Sequence, residues 1–294
     1  MAQTATPTDR DLISIQEAKS LAQRAKSVAP ALAEFAQDQI DRIVGAMAEA
    51  AGRRAEAFAR LAVEETGFGN VPDKTAKNRH ASLGVYQFLA GKPGIGVIAE
   101  DAERQVTEIA SPAGVVFGII PITNPVATAI FKTLIALKAR CSIILSFPRG
   151  CLGVGNAACE MMARVLTEQG APAHLLQWIR QRSSRGKTAG FMRHDGVSLV
   201  LATGGSGMVS AAYRSGTPAL GVGPGNTPVY VAEDADVEAA AFSIAISKPS
   251  DNGLICGAEH NLVVDARVRA AFVDALKRHG AAVLDPDEAE RFAA

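Results

Sequence analysis

The sequence lacks the features of several protein classes. Its 294 residues include 30 basic and 30 acidic side chains, so no net charge remains, and aromatic residues make up only 5%. Proteins that bind nucleic acid or membrane surfaces usually carry clustered basic charge, so neither partner is expected. The N-terminus has no cationic start followed by an apolar core, and no apolar run approaches the length that spans a bilayer. These absences favour a globular, cytoplasmic protein with a small-molecule partner.

Cysteine and histidine are also scarce. The four cysteines are Cys141, Cys151, Cys159 and Cys256. They form no CxxC pair, and the five histidines show no zinc-ligand spacing, so neither a metal site nor a disulfide is predicted. Cys256 follows a polar turn at residues 250–253 and precedes a strand-like stretch at 261–265. A thiol on such a loop is a candidate nucleophile, although a single cysteine is more often an inert small apolar side chain.

Hydrophobic periodicity divides the chain into a helical part and an alternating part. Residues 11–66 and 73–89 carry the spacing of helices, and residues 97–110 resemble an extended hairpin. From Gly114 onward, short apolar strands alternate with helices, which predicts an α/β fold with a parallel sheet covered on both faces. Strands are predicted at 115–120, 142–146, 175–179, 198–201, 228–231, 261–265 and 281–284. The segment 221–228 is too rich in glycine to predict a strand.

Two glycine clusters follow predicted strands. Residues 203–208 (TGGSGM) open a helix directly after one strand, so their backbone N–H groups can approach a phosphate or a ribose. A tight turn without a ligand is the alternative. Residues 153–158 (GVGNAA) match a variant of the dinucleotide fingerprint, but six residues separate them from the end of the preceding strand at 146. Close packing of a helix on the sheet is therefore the favoured interpretation of this second cluster.

The segment 121–125 (PITNP) ends a predicted strand and starts a helix. Asn124 thus presents a neutral amide at the carboxyl edge of the sheet, where ligands of open α/β folds bind. Such an amide can donate a hydrogen bond to a developing oxyanion. The alternative is that Asn124 caps the helix that follows.

Five segments together resemble, in order, the CoA-acylating aldehyde dehydrogenases. They are 121–125 (PITNP), 146–149 (SFPR), 202–208 (ATGGSGM), 221–228 (GVGPGNTP) and 251–256 (DNGLIC). The resemblance covers nearly the whole chain. It implies a helical N-terminal section plus a dinucleotide-binding domain over residues 1–228. It also implies that residues 229–294 begin an α/β catalytic domain that carries the nucleophile.

The resemblance implies a mechanism as well. Cys256 would attack an aldehyde, and the Asn124 amide with the backbone N–H of Cys256 would hold the oxyanion of the thiohemiacetal. After hydride transfer to NAD or NADP, the thioester on Cys256 would pass to coenzyme A. Hydrolytic members of the wider superfamily carry a glutamate base where this chain has Gly221 and Val222, so its absence fits transfer to a thiol.

The family pattern places the dinucleotide over three loops. Their residues are Ser146, Pro148, Arg149, Thr203, Gly204, Gly205, Val222 and Gly223. Arg149 would suit the 2′-phosphate of NADP, but the sequence does not decide between NAD and NADP. The arginine-rich segment 177–186 resembles the sulfoacetaldehyde branch, whose sulfonate would need a cation. Arg180, Arg182 and Arg185 would equally suit a solvated surface or the phosphates of coenzyme A, so a short-chain aldehyde remains the alternative substrate.

The family's catalytic domain usually continues well beyond the point where this sequence ends. Two functions are therefore expected. The first is an acylating enzyme, homo-oligomeric when complete. The second is a truncated, catalytically inactive remnant that retains nucleotide binding or associates with an intact homologue.

Overall fold

A computed structural model describes residues 10–181 and 183–293 of the chain. The chain divides into two compact units, with the boundary between Gly223 and Pro224. The boundary predicted after residue 228 lies a few residues further along the chain. No helix in the described ranges is long and apolar enough to cross a membrane.

The first unit begins with helices, as the periodicity predicts. They are α1 (Arg10–Ser27), α2 (Ala29–Ala33), α3 (Gln37–Arg53), α4 (Ala55–Thr66), α5 (Val71–Arg79) and α6 (Val85–Leu89). The last two are joined by one π-helical turn, His80–Gly84, so residues 71–89 form a continuous helical segment. In α3 the buried residues Ile40, Ile43, Val44 and Met47 recur at helical spacing and face the core. A hairpin follows, in which β1 (Gly96–Asp101) pairs antiparallel with β2 (Val106–Ala110).

A five-stranded parallel sheet forms the centre of this unit. Its strands are β3 (Val115–Ile119), β4 (Ser142–Ser146), β5 (Leu176–Trp178), β6 (Leu199–Thr203) and β7 (Ala219–Val222), in the spatial order β5-β4-β3-β6-β7. The helices between them are α7 (Pro125–Lys138), α8 (Leu152–Glu168), α9 (Arg185–Met192) and α10 (Ser206–Tyr213). The chain runs outward from β3 to β5 and returns to β6 on the other side of β3. The strand order therefore reverses between β3 and β6, the position where open α/β sheets bind ligands.

Both faces of the sheet are covered. One core cluster joins α3, α7 and α8 to the sheet through residues such as Ile43, Leu134 and Met162. The other joins α1 and α9 to the opposite face, where the rings of Phe117 and Phe191 stack with their centroids 4.8 Å apart. Burial on both faces explains why these strands are continuous apolar runs.

The second unit is small. It contains β8 (Thr227–Val231), α11 (Val237–Ser247), β9 (Glu259–Val264), α12 (Arg269–Arg278) and α13 (Pro286–Ala293). Strands β8 and β9 pair in parallel. Its buried core consists of Val231, Ala241, Ile244, Phe272 and Ala275.

Two sequence-based predictions of strands are wrong. Residues 281–284 form no strand in the described chain, and Val283 is 61% exposed. Apolar composition alone cannot form a strand that lacks a partner edge. Conversely, the glycine-rich segment does contribute a strand, because Gly221 lies in β7 and pairs with Ala202 of β6. Pairing with a neighbouring strand here overrides a low local strand propensity.

Candidate active site

A cavity of about 330 Å³ lies at the carboxyl ends of β3, β4 and β6, where the strand order reverses. Five of the predicted cofactor-binding residues line it: Ser146, Pro148, Thr203, Gly204 and Gly205. The structure therefore brings together two of the three predicted loops. Ser184, Arg185 and Thr188, at the start of α9, complete one wall and were not predicted as cofactor-binding residues.

The N-terminus of α10 lies beside this cavity. Its N-cap residue is Gly205, which has no side chain to accept a hydrogen bond from the first N–H groups of the helix. The backbone N–H of Gly204 donates to the carbonyl oxygen of Val222 at 3.1 Å, which attaches the glycine loop to β7. The first N–H groups of a helix have no partner within the helix and carry a partial positive charge. This helix end can therefore bind a phosphate.

The remaining predicted cofactor-binding residues are not brought to the cavity wall. Among the described residues, Arg149, Val222 and Gly223 are absent from its lining. Arg149 lies in a short 3-10 helix, Arg149–Cys151, and is exposed, whereas Val222 is 50% exposed at the edge strand β7. Their assignment to the cofactor stays a prediction.

The arginine-rich segment separates into different surroundings. Arg180 forms an ion pair with Glu160 at 3.0 Å and stacks over the ring of Trp178 at 4.3 Å. Arg182 lies outside the described residues. Arg185 lines the cavity, so of the two described arginines in this segment it is the one near the glycine loop.

A second cleft, of about 410 Å³, lies between α9 and α10. Arg193 at the end of α9 and Arg214 at the end of α10 both line it, together with Ser210. Sequence analysis missed this cleft because its two arginines are far apart in the chain and belong to no recognisable motif. Since α9 and α10 also border the first cavity, the two spaces share the same pair of helices.

Asn124 occupies the N-cap position of α7, but its side chain makes no capping hydrogen bond in the described chain, so the alternative that this side chain caps the helix is wrong. Its Oδ1 accepts a hydrogen bond from Lys77 Nζ at 3.0 Å, and its Nδ2 donates to Thr123 Oγ1 at 3.3 Å. The buried Lys74 donates to the backbone carbonyl of Thr123 at 2.7 Å. Two lysines of α5 therefore hold the loop that carries Asn124.

Cys256 is exposed on a turn, as its sequence context predicts. The 3-10 turn just before it, Ser250–Gly253, contains two left-handed residues, Asp251 (φ 53°) and Asn252 (φ 58°). Such backbone conformations are uncommon outside glycine and often occur at functional sites. The other three cysteines, Cys141, Cys151 and Cys159, are buried.

Burial also lowers the reactivity of two of these thiols by raising their pKa values. Burial, helped by the charge of Glu65, raises the pKa of the Cys151 thiol to about 12. Burial likewise raises the pKa of Cys159 well above its ordinary value. Because the thiolate is the nucleophile, these two cysteines are inert near neutral pH.

The fingerprint-like cluster at 153–158 serves packing. The Glu65 carboxylate accepts hydrogen bonds from the backbone N–H groups of Gly153 at 2.8 Å and Val154 at 2.6 Å. An anionic side chain of the protein thus occupies the N-terminus of α8. A Cβ added at Gly155 would lie 2.6 Å from the ring of Phe147, so this glycine allows the helix to approach the sheet closely.

Comparison with known proteins identifies relatives over most of the chain. The family model described as the aldehyde dehydrogenase family matches residues 8–290. The bifunctional aldehyde-alcohol dehydrogenase of Escherichia coli K12 is 41% identical over 274 residues, which are 93% of this chain and 31% of the relative. A sulfoacetaldehyde dehydrogenase of an Acholeplasma species is 38% identical over 260 residues, covering 87% of this chain and 53% of the relative. The chain thus spans from just under a third to just over half of the length of these relatives.

Solved structures show the same fold. An acetylating aldehyde dehydrogenase from Geobacillus thermoglucosidasius superposes with a TM-score of 0.89 at 44% identity, covering 97% of this chain and 63% of that chain. A propionaldehyde dehydrogenase from Rhodopseudomonas palustris, determined with bound CoA and an acylated cysteine, gives a TM-score of 0.82 at 28% identity, covering 93% and 62%. The predicted α/β fold is confirmed. The chain belongs to the aldehyde dehydrogenase family.

Proposed function

We propose that the protein oxidises an aldehyde with NAD(P)+ and transfers the acyl group to coenzyme A. The observation that carries this proposal is the contrast between Cys256, exposed on a turn, and three buried cysteines. The structural relatives include an acetylating aldehyde dehydrogenase and a propionaldehyde dehydrogenase with bound CoA and an acylated cysteine. Only a thiol that the aldehyde can reach can act as the nucleophile.

The chemistry proceeds through two covalent states of Cys256. The Sγ thiolate adds to the aldehyde carbon, a C–S bond forms, and the carbonyl oxygen becomes an oxyanion. The Asn124 amide and the backbone N–H of Cys256 donate hydrogen bonds to that oxygen. Bound NAD(P)+ supplies the acceptor for the hydride that leaves the carbon. The thioester that remains is attacked by the thiolate of coenzyme A, and the Cys256 thiolate leaves.

The described residues fit a dinucleotide. The N-terminus of α10 suits a phosphate, and the cavity beside it holds the predicted Ser146, Thr203 and Gly205. The separate cleft between α9 and α10 is bordered by the same two helices and carries Arg193 and Arg214. Both NAD and NADP fit this description.

Transfer to a thiol, and not to water, is supported by the residues of β7. Gly221 lies within this strand and Val222 ends it, so neither position offers a carboxylate to activate water. A thiolate needs no such base, because it is already the stronger nucleophile.

Two aldehydes remain candidates. A sulfonate such as that of sulfoacetaldehyde requires a cation. Of the two described arginines in the arginine-rich segment, Arg185 lines the cavity and Arg180 pairs with Glu160, so Arg185 is the candidate cation. A short apolar aldehyde such as propionaldehyde requires no such partner. Comparing the two aldehydes therefore tests the role of Arg185.

We also propose that the protein is a cytoplasmic homo-oligomer. Four free thiols suit a reducing compartment such as the cytoplasm.

The oligomer is suggested by an exposed apolar hairpin. The hairpin β1–β2 exposes Val97, Val106 and Ile109, and an isolated two-stranded hairpin has little stability of its own. Light scattering at several protein concentrations tests this proposal. A monomer at all concentrations would contradict it.

A second function is favoured by the unequal size of the two units. The first unit has a five-stranded sheet with two large core clusters, whereas the described part of the second has two paired strands and one core cluster of five buried residues. Dinucleotide binding is thus supported by more structure than catalysis is. The second proposed function is therefore nucleotide binding without turnover.

The experiment that separates the two functions measures NAD(P)H formation by the purified chain. Sulfoacetaldehyde and propionaldehyde are each supplied with and without coenzyme A, and Cys256→Ala is the control. Sustained turnover that requires coenzyme A supports the acylating enzyme, and loss of it in the variant assigns the nucleophile. Dinucleotide binding without NAD(P)H formation supports the second function.

A further inference from the structure

Two lysines on one face of α5 contact the loop that leads into α7. Lys74 and Lys77 are three residues apart, so their side chains project from the same side of the helix. Lys74, only 3% exposed, donates to the carbonyl oxygen of Thr123, and Lys77 donates to Oδ1 of Asn124. One lysine thus holds the backbone of the loop and the other holds the side chain.

The contact with Lys77 fixes which way the Asn124 amide faces. An ammonium group can only donate hydrogen bonds, so the amide oxygen must lie towards Lys77. A flipped amide would place an NH2 group against the ammonium, two donors facing each other. The NH2 group therefore lies on the side away from Lys77, where Nδ2 donates one hydrogen bond to Thr123 Oγ1, 3.3 Å away. Within the described chain, its second hydrogen can serve another acceptor.

The same contact makes the amide a better donor. A cation at the carbonyl oxygen polarises the amide group and leaves its N–H bonds more positive. The positive charge of Lys77 thus stabilises the proposed oxyanion through the Asn124 amide, without Lys77 contacting the substrate.

Helix α5 is itself held in place. Asn70 caps it by accepting a hydrogen bond from the backbone N–H of Asp73 at 2.9 Å. The buried Asn78 donates to the carbonyl oxygen of Ala55 at 3.0 Å, which ties α5 to α4. The ammonium of Lys77 therefore extends from a helix fixed at both ends.

We infer that Lys77 is a positioning residue that orients and polarises the Asn124 amide for the oxyanion. The inference rests on the proposed function, because that function makes Asn124 the donor. The orientation itself belongs to the resting protein, so it can be tested without turnover.

The experiment compares Lys77→Met, Lys77→Gln and Lys77→Arg with the unaltered chain. Lys19→Met is the matched control, because Lys19 is an exposed lysine of α1. The first readout is the pair of side-chain NH2 signals of Asn124 in the 15N–1H spectrum, identified by their loss in Asn124→Ala. We expect these signals to shift in Lys77→Met and Lys77→Gln, and to keep their positions in Lys77→Arg and Lys19→Met.

The second readout is kinetic. Loss of a whole oxyanion donor lowers kcat by about 100- to 1,000-fold, so a misoriented donor is expected to lower it by about 10-fold or more. The KM for the dinucleotide should change by less than about twofold, and Lys77→Arg should recover most of kcat. A structural role alone would not produce this separation of kcat from KM.

The outcomes distinguish the inference from the proposed function. Unchanged Asn124 signals in folded Lys77→Met and Lys77→Gln would overturn the inference, and so would an unchanged kcat in an active enzyme. If the unaltered chain has no turnover, the proposed acylating activity fails, and the NH2 signals alone decide whether Lys77 orients Asn124.

Discussion

Gly225 packs against the carbonyl oxygen of Cys256 so closely that an added Cβ would lie 2.5 Å from that oxygen. The clashing atom belongs to the backbone, which cannot move aside as the end of a flexible side chain can. The position of the candidate nucleophile therefore depends on having a glycine, with no side chain, at position 225 in the loop that precedes β8.

We predict that Gly225→Ala slows acylation of Cys256. A shift of about 1 Å at a reacting group can cost about 100-fold in rate, so a decrease of about 10-fold or more is expected. The measurement is the single-turnover rate of NAD(P)H formation with an aldehyde. Gly190→Ala in α9 is the control, because an added Cβ there meets nothing within 4 Å. Equal rates in Gly225→Ala and the unaltered chain would show that Gly225 does not position Cys256.

We predict that alkylation distinguishes the four cysteines. Iodoacetamide at pH 8 should modify Cys256 in the native protein, since its thiol is exposed, and should leave the buried Cys141, Cys151 and Cys159 unmodified. The raised pKa values of Cys151 and Cys159 reinforce their protection. Peptide mass spectrometry before and after denaturation measures the modification of each site. Rapid native labelling of Cys151 would contradict the burial described above.

We predict that Glu65 stabilises the first unit without binding cofactor. Glu65→Ala removes the acceptor from two N–H groups at the start of α8 and should lower the free energy of unfolding by about 1 kcal/mol. The neighbouring Glu64→Ala, also at an exposed position, should have little effect. Urea unfolding measures the stability, and titration measures NAD(P)+ binding. A large change in NAD(P)+ affinity in Glu65→Ala would indicate that the cluster at 153–158 does bind the dinucleotide.

We predict a pH-dependent contribution of Lys132 to stability. Its Nζ donates to the carbonyl oxygens of Ile119 and Leu201, each at 2.6 Å, and so bridges β3 and β6 next to the candidate site. Burial lowers the pKa of Lys132 from 10.5 to about 7. Between these values the unfolded chain binds a proton that the folded chain does not, so stability rises with pH.

Urea unfolding of the unaltered chain and of Lys132→Met at pH 6 and pH 9 tests this dependence. From pH 6 to pH 9, the free energy of unfolding of the unaltered chain should rise relative to that of Lys132→Met. At pH 9, Lys132 is neutral in the folded chain and charged in the unfolded chain. At pH 6 the lysine is charged in both states, and the folded protein carries the full cost of burying that charge. A pH-independent difference would contradict the lowered pKa.

Much of the fold follows from local patterns in the sequence. Helix α3 is predictable because Ile40, Ile43, Val44 and Met47 recur at helical spacing, and β3 and β4 because they are short apolar runs between turns. Strand β7 was missed because Gly221 has low strand propensity, and its pairing with β6 is a tertiary effect.

The candidate site is predictable only in part. Cys256 and Asn124 stand out because polar or proline-bounded turns surround them. The contacts that support the site cannot be recognised in the sequence, because the partners are far apart in the chain. Lys77 and Asn124 are separated by 47 residues, and Glu65 and Gly153 by 88. Such pairs are brought together by the packing of α5 and α4 against the sheet unit, which no local pattern encodes.

The central claim is that Cys256 carries an acyl group that coenzyme A removes. Intact-protein mass spectrometry tests it after incubation with propionaldehyde and NAD(P)+ in the absence of coenzyme A. The account predicts a mass increase of one propionyl group, located on Cys256 by peptide mapping, that disappears when coenzyme A is added and propionyl-CoA forms. NAD(P)H formation without an adduct on Cys256, or an equal adduct in Cys256→Ala, would contradict it.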